Sequence, residues 1–145
     1  QSVTNNRRIY IYVSCPVLLE SKSFKSNNTR KTYPIKQHMT CDSQFVIYLA
    51  TCRRCGGQYV GKSETTFKKR HSNHKQEVRW GKGGLGQHFG GGRACNYQDI
   101  SIQLIEKVEQ GNRSLLASKE QYWQNQLRVF IENGSNGMCI RKDFE

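Results

Sequence analysis

Arg70, His74 and Glu120 stand where apolar residues would be expected, and their types suggest phosphate chemistry. Phe67 and Val78 are eleven residues apart and share a helical face, and Arg70 and His74, four apart, lie between them on that face. A second stripe of Leu116, Trp123 and Leu127 is interrupted in the same way by Glu120, four after Leu116 and three before Trp123. Burying an unpaired charge is costly, so such residues persist where they are paired or where they do chemistry. One possibility is an internal Arg70–Glu120 salt bridge, or stripes rotated enough to expose both. The other makes them the cation and anion of one site. Arginine's planar fork suits a scissile phosphate, and a single glutamate can hold one Mg²⁺ or Mn²⁺ that keeps its remaining waters. Those are complementary halves of phosphodiester hydrolysis.

Cys52-Arg53-Arg54-Cys55 has the C-x-x-C spacing of a zinc half-site, with further Cys and His downstream; the alternative is two ordinary thiols at a turn. Lys and Arg total 23 against 11 Asp and Glu, a net charge of +12 that favours an anionic partner and opposes self-association. Nucleic acid is the first partner expected, although a basic surface can also be merely solvated. The run Arg53, Arg54, Lys62, Lys68, Lys69, Arg70, Lys75, Arg79 and Lys82 is interrupted only by Glu64 and Glu77. It suits phosphate contacts that carry little sequence information.

The elements that must position these residues follow from periodicity. Residues 9 to 19 alternate and then run apolar, as a strand. Ser21 to Thr40 is polar and basic, with short β-prone pieces at Ser23 to Lys25 and Thr32 to Ile35 around a Ser26-Asn27-Asn28-Thr29 turn, and reads as a hairpin or arm. Phe45 to Thr51 is an apolar run suited to a strand buried on both faces, followed by a turn and a second strand around Gln58 to Gly61. A basic helix is expected over Glu64 to Trp80 with Ser63 as its cap, then a glycine-dense loop from Gly81 to Gly92. Ile100, Ile102 and Leu104 alternate as a strand, and Ser114 to Phe130 forms a helix that Asn133-Gly134 would stop.

The fold class expected is α+β: a small antiparallel sheet of about three strands packed by helices. Residues 1–40 form an N-terminal strand and hairpin extension or linker, and 41–145 the main domain. No apolar run approaches the ~18 residues of a membrane span, and the first residues lack the regions of a signal peptide. A soluble protein of a reducing compartment is expected. Its opening Gln1-Ser2-Val3, without methionine, reads as part of a longer polypeptide.

Taken in order, Val46-Ile47-Tyr48, Tyr59-Val60-Gly61, Phe67-Lys68-Lys69-Arg70 with His74, Glu120-Gln121-Tyr122-Trp123 and Gly134-Ser135-Asn136 resemble the successive motifs of GIY-YIG endonucleases. Val46 replaces the glycine of the first motif. The similarity is closest to the endonuclease domain of Penelope-like retroelements, which carries a cysteine pair between the two tyrosine motifs, and it covers roughly Cys41 to Asn136. The resemblance implies a GIY-YIG-like fold and a metal-dependent DNA endonuclease that nicks target DNA for retroelement integration. It implies nuclear work and a reverse transcriptase in the parent polypeptide. In this reading Tyr48 accepts the proton of the attacking water, with Tyr59 sharing that role or orienting water. A phenol's reference pKa is ~10, so Arg70, Lys62 and the metal must supply a positive field. His74 assists by hydrogen bonding Tyr48 or the phosphate, and Asn136 orients Glu120 or the metal's waters.

In the retroelement group two histidines complete the structural zinc set; here the candidates are His88 and Cys95, with His74 a competitor for one place. Cys15, Cys41 and Cys139 carry no assigned role. A structure-specific repair nuclease of the same superfamily, or an inactive zinc-stabilised nucleic-acid-binding module, are the alternatives.

Overall fold

The computed structural model describes residues 18–19, 21–80, 95 and 97–129, without the side chains of 75–80 and 97. Two antiparallel sheets and two helices make up the described residues, an α+β arrangement as expected. The smaller sheet pairs β1 (Ser23–Lys25) with β2 (Thr32–Pro34). The larger has the order β4-β3-β5, with β3 (Val46–Cys52) between β4 (Gln58–Ser63) and β5 (Ile100–Lys107).

Strand β3 is central because its sequence is apolar at nearly every position. Val46, Tyr48, Ala50 and Cys52 join one buried cluster with Phe67, Ile102 and Leu104, whereas Ile47 and Leu49 join another with Val60, Leu116 and Leu127. Period-two alternation sends the two sets to opposite faces. Helix α1 (Phe67–Trp80) covers the first face through Phe67, and α2 (Arg113–Leu127) covers the second. On β5 the register slips between Ile47↔Glu106 and Tyr48↔Leu104, leaving Ile105 as the extra residue of a bulge. Leu18 makes a parallel bridge to Ile102; residues 9–17 of the expected first strand lie outside the described residues.

Both helix ends differ from expectation. Ser63 does not cap α1: it is the last residue of β4, paired with Val46, and its hydroxyl donates to the Thr65 carbonyl at 2.8 Å. Thr66 takes the role instead, its Oγ1 accepting from the Lys69 N–H at 3.3 Å. Helix α2 stops at Leu127, not near Asn133-Gly134. Arg128 adopts the left-handed conformation at φ 55°, and the Val129 N–H returns to the Gln124 carbonyl at 3.0 Å. The hairpin tip fixes that end. Ser26 Oγ donates to the Leu127 carbonyl at 2.7 Å and Asn28 Nδ2 to the Arg128 carbonyl at 2.8 Å, so terminal carbonyls of the helix have their partners about a hundred residues upstream.

The hairpin is therefore no loose arm. Phe24 is buried in the same cluster as Leu116 and Leu127 and packs against Tyr33 and Trp123. Gln58 joins the hairpin to the sheet, accepting from the Asn27 N–H at 2.8 Å and donating to the Lys25 carbonyl at 2.9 Å.

Candidate functional site

Tyr48, on β3, points into the face covered by α1, where its hydroxyl meets His74 Nε2 at 2.9 Å in a fully buried contact. Phe67 and Tyr59 flank its ring at centroid distances of 5.5 and 6.2 Å. Burial, then the charges of Arg70 and His71, push the His74 imidazole down to about 3, so the ring is neutral at physiological pH. Nδ1 of His74 has no hydrogen-bond partner among the described residues. A proton on Nε2 leaves only a lone pair unsatisfied at Nδ1 and donates a hydrogen bond to the Tyr48 oxygen.

A depressed histidine pKa makes stability depend on pH. The neutral ring's contribution is complete above its unfolded value near 6.5 and is lost as pH falls toward about 3. Urea titrations from pH 7.5 down to pH 4 should lose at most about 1.4 kcal/mol per pH unit from this group, and a His74→Phe variant should lose less steeply. Equal slopes would mean that the ring is already protonated or solvated in the fold.

Gly61 is what gives the tyrosines room. It pairs with Tyr48 across β3 and β4, and a Cβ built there would lie 2.5 Å from Tyr48 Cζ and Oη and 2.8 Å from Tyr59 Cε2. Tyr48 is hemmed in by Phe67 and His74 and cannot swing away cheaply. Gly61→Ala should cost about 1–3 kcal/mol in a denaturant titration by overpacking, and should break the Tyr48–His74 hydrogen bond. An unchanged midpoint would mean that the rings have slack.

Glu120 lies on α2 beside the edge strand β4. Its partner is not the Arg70 that the sequence suggested: the cation at Glu120 is Lys62 Nζ, 3.8 Å from Oε1, with the two side chains 40% and 23% exposed. That is a long, part-solvated pair worth little by itself. Burial raises the carboxyl above the usual range, partly offset by Lys62 and by Arg70, whose charge acts from further away. The Arg70 charge thus lowers both the His74 imidazole and the Glu120 carboxyl. One turn along α2, Gln124 Nε2 donates to the Val60 carbonyl of β4 at 3.3 Å, seating the helix against that edge.

The second cluster is a sulfur site. Sγ atoms of Cys52, Cys55 and Cys95 lie within 4.8 Å of one another, all three residues buried. Tetrahedral zinc with Zn–S of ~2.3 Å needs sulfurs ~3.8 Å apart, so the three can hold a metal ion with small adjustment. The turn between Cys52 and Gly57 is built for it. Gly56 takes φ +81°, its N–H donates to the Cys52 carbonyl at 2.8 Å, and the Gly57 N–H donates to Cys55 Sγ at 3.3 Å, a contact that favours thiolate. Burial and the neighbouring Cys52 and Cys55 push the Cys95 thiol up to about 12, a penalty that a bound cation would reverse.

Cys95 thus joins the pair as expected, while His74 is placed on Tyr48 and away from the sulfurs. His88, the other expected ligand, lies outside the described residues, as do Asn136, Lys82, Cys15, Cys139 and the Gly81 to Gly92 loop. Cys41 is buried but is not part of the sulfur cluster.

Of the basic run, Arg53, Arg54, Lys62, Lys68 and Lys69 are exposed. Arg53 has a structural duty: its guanidinium donates to the Gln98 and Asp99 carbonyls at 2.6 and 3.2 Å, bracing the cysteine turn against the segment after Cys95. Lys75 and Arg79 lie on α1, with side chains outside the described set. His71, absent from the candidates above, is buried on α1 and stacked on Phe67 at 6.3 Å, and its place four after Phe67 is the signal for that position. Comparison with protein-family models, curated proteins and solved structures finds no match.

Proposed function

We propose that this chain is a metal-dependent DNA endonuclease that hydrolyses a phosphodiester bond. The observation that carries the reading is the Lys62–Glu120 contact at the β4 edge, with Arg70 near enough to lower both the Glu120 carboxyl and the His74 imidazole that holds Tyr48. The chain as a whole carries a net charge of +12, which favours an anionic partner.

Glu120 would hold the single Mg²⁺ or Mn²⁺. Its part-buried carboxylate suits a hard cation that keeps several waters. Bound there, the ion would supply Lewis-acid charge to the scissile phosphate. Arg70 stabilises charge on the phosphate oxygens through its forked donors, and Lys62 supports it from β4. Tyr48 is fully buried and Tyr59 is half-buried, which favours Tyr59 as the phenol that meets the attacking water. Tyr48, held by His74, then fixes the neighbouring ring. Cys52, Cys55 and Cys95 are assigned to structural zinc, which would hold the β3–β4 turn to the segment leading into β5. The retroelement setting, with nicking for integration beside a reverse transcriptase in the nucleus, belongs to the same proposal and rests on the resemblance.

The complete burial of Tyr48 supports a second reading, a zinc-stabilised nucleic-acid-binding module without activity. Supercoiled plasmid incubated with the chain and Mg²⁺ or Mn²⁺ separates the two: relaxed product that requires the cation supports the nuclease, and intact plasmid that the protein nonetheless retards in a gel supports the binding module.

A further inference from the structure

A groove of about 460 Å³ lies between β2 and α2, within the size range of small-ligand sites. Its lining includes Tyr33, Lys36, Glu106, Lys119, Tyr122 and Trp123. Tyr122 is 48% exposed on a helix whose other outward residues are mostly polar, and its ring meets the edge of Trp123 at 5.0 Å. Trp123 is in turn braced edge-on by Tyr33 at 5.3 Å, so the aromatic floor is rigid.

Among the described residues that line the groove, the one acid is already compensated. Trp123 Nε1 donates to Glu106 Oε1 at 2.8 Å, and Lys119 Nζ lies 3.1 Å from Oε2. Lys119 also sits 5.6 Å from the Tyr122 centroid, and Lys36 has no acidic partner within 4.0 Å among the described residues. An aromatic floor with a positive rim fits a flat, anionic occupant. A cationic one would have to displace Lys119 from Glu106.

Position adds to this. Glu106 and Lys62 both pair with Ile47 across the sheet, so they stand two strand spacings, ~10 Å, apart on the face that α2 crosses. Lys119 pairs with the first and Glu120 with the second. The groove therefore opens beside the candidate cleavage site.

We propose that this groove binds unpaired nucleotides of single-stranded DNA, a base stacking on Tyr122 in place of Lys119, which stays paired with Glu106, and phosphate lying against Lys36. The proposal rests on the nucleic-acid part of the function given above and not on cleavage. Its test is fluorescence anisotropy of a labelled oligodeoxythymidylate and of a hairpin duplex, with the chain in buffer without added divalent cation. Tyr122→Ala should weaken oligonucleotide binding about tenfold and duplex binding by less than about twofold, whereas Tyr122→Phe should bind as the parent does. Lys36→Ala should lower the salt slope of oligonucleotide binding by about one.

Failure of the parent chain to bind the oligonucleotide, equal losses on both ligands in a folded Tyr122→Ala variant, or preferential binding of a trimethyllysine peptide would each overturn the proposal. Plasmid nicking is read separately. A chain that nicks plasmid yet ignores the oligonucleotide sinks this site alone.

Discussion

Glu120→Gln should lower cation-dependent plasmid nicking about a thousandfold while leaving DNA affinity unchanged or slightly raised. The substitution keeps shape and removes the charge that a divalent cation needs. Stability should not fall with activity. Burial raises the Glu120 carboxyl above its unfolded value, so this group contributes stability below the unfolded pKa and loses it as pH rises through the folded one. At neutral pH a neutral amide there is no worse for the fold than the carboxylate, and the Lys62 contact it gives up is long and part-solvated. A parallel loss of melting temperature would instead make Glu120 a structural anion, and the nuclease reading would lose its central residue. The same raised carboxyl predicts that, at cation concentrations well below saturation, the acid limb of nicking is shifted upward, and that saturating cation moves it back down, because the cation binds only the ionised form.

The second large effect is on stability. Cys55→Ser should remove one zinc per chain, measured by atomic emission, and lower the melting temperature by about 10 °C or more, consistent with the loss of several kcal/mol in a domain of this size. Cys41→Ser is the matched control. Cys41 is as buried as the others but lies outside the sulfur cluster, so its substitution should leave zinc content intact and cost less. Because burial and neighbouring sulfur hold the Cys55 and Cys95 thiols protonated, metal uptake must release protons and should weaken as pH falls. Full zinc content in Cys55→Ser, or none in the parent chain, would return these residues to ordinary buried thiols.

Much of the framework was legible because it is local. The apolar run at Phe45 to Thr51 dictates a strand buried on two faces, and the turn at Ser26 to Thr29 between two β-prone pieces points to a hairpin or arm, of which the fold has the hairpin. Arg70 and Glu120 stood out because each breaks a helical stripe of its own neighbours. The glycine of Tyr59-Val60-Gly61 was visible too, but its reason was not: only the cross-strand register sets it against the Tyr48 ring.

Partnerships between distant residues depended on the folded chain. Periodicity says which face a residue occupies and nothing about what covers that face. So the Arg70–Glu120 pair weighed from sequence became Lys62–Glu120, because β4 forms the sheet edge against which α2 lies. His74 went to Tyr48, 26 residues upstream, leaving the cysteine pair to Cys95. The end of α2 was set by Ser26 and Asn28 and not by the Asn133-Gly134 signal. In short, spacing along the chain determined Arg70, Glu120 and the cysteine pair as the residues to watch, since 2- and 3.6-residue periods are properties of near neighbours. Tertiary structure decided what each of them touches, since those contacts are made by strand register and helix docking across tens of residues.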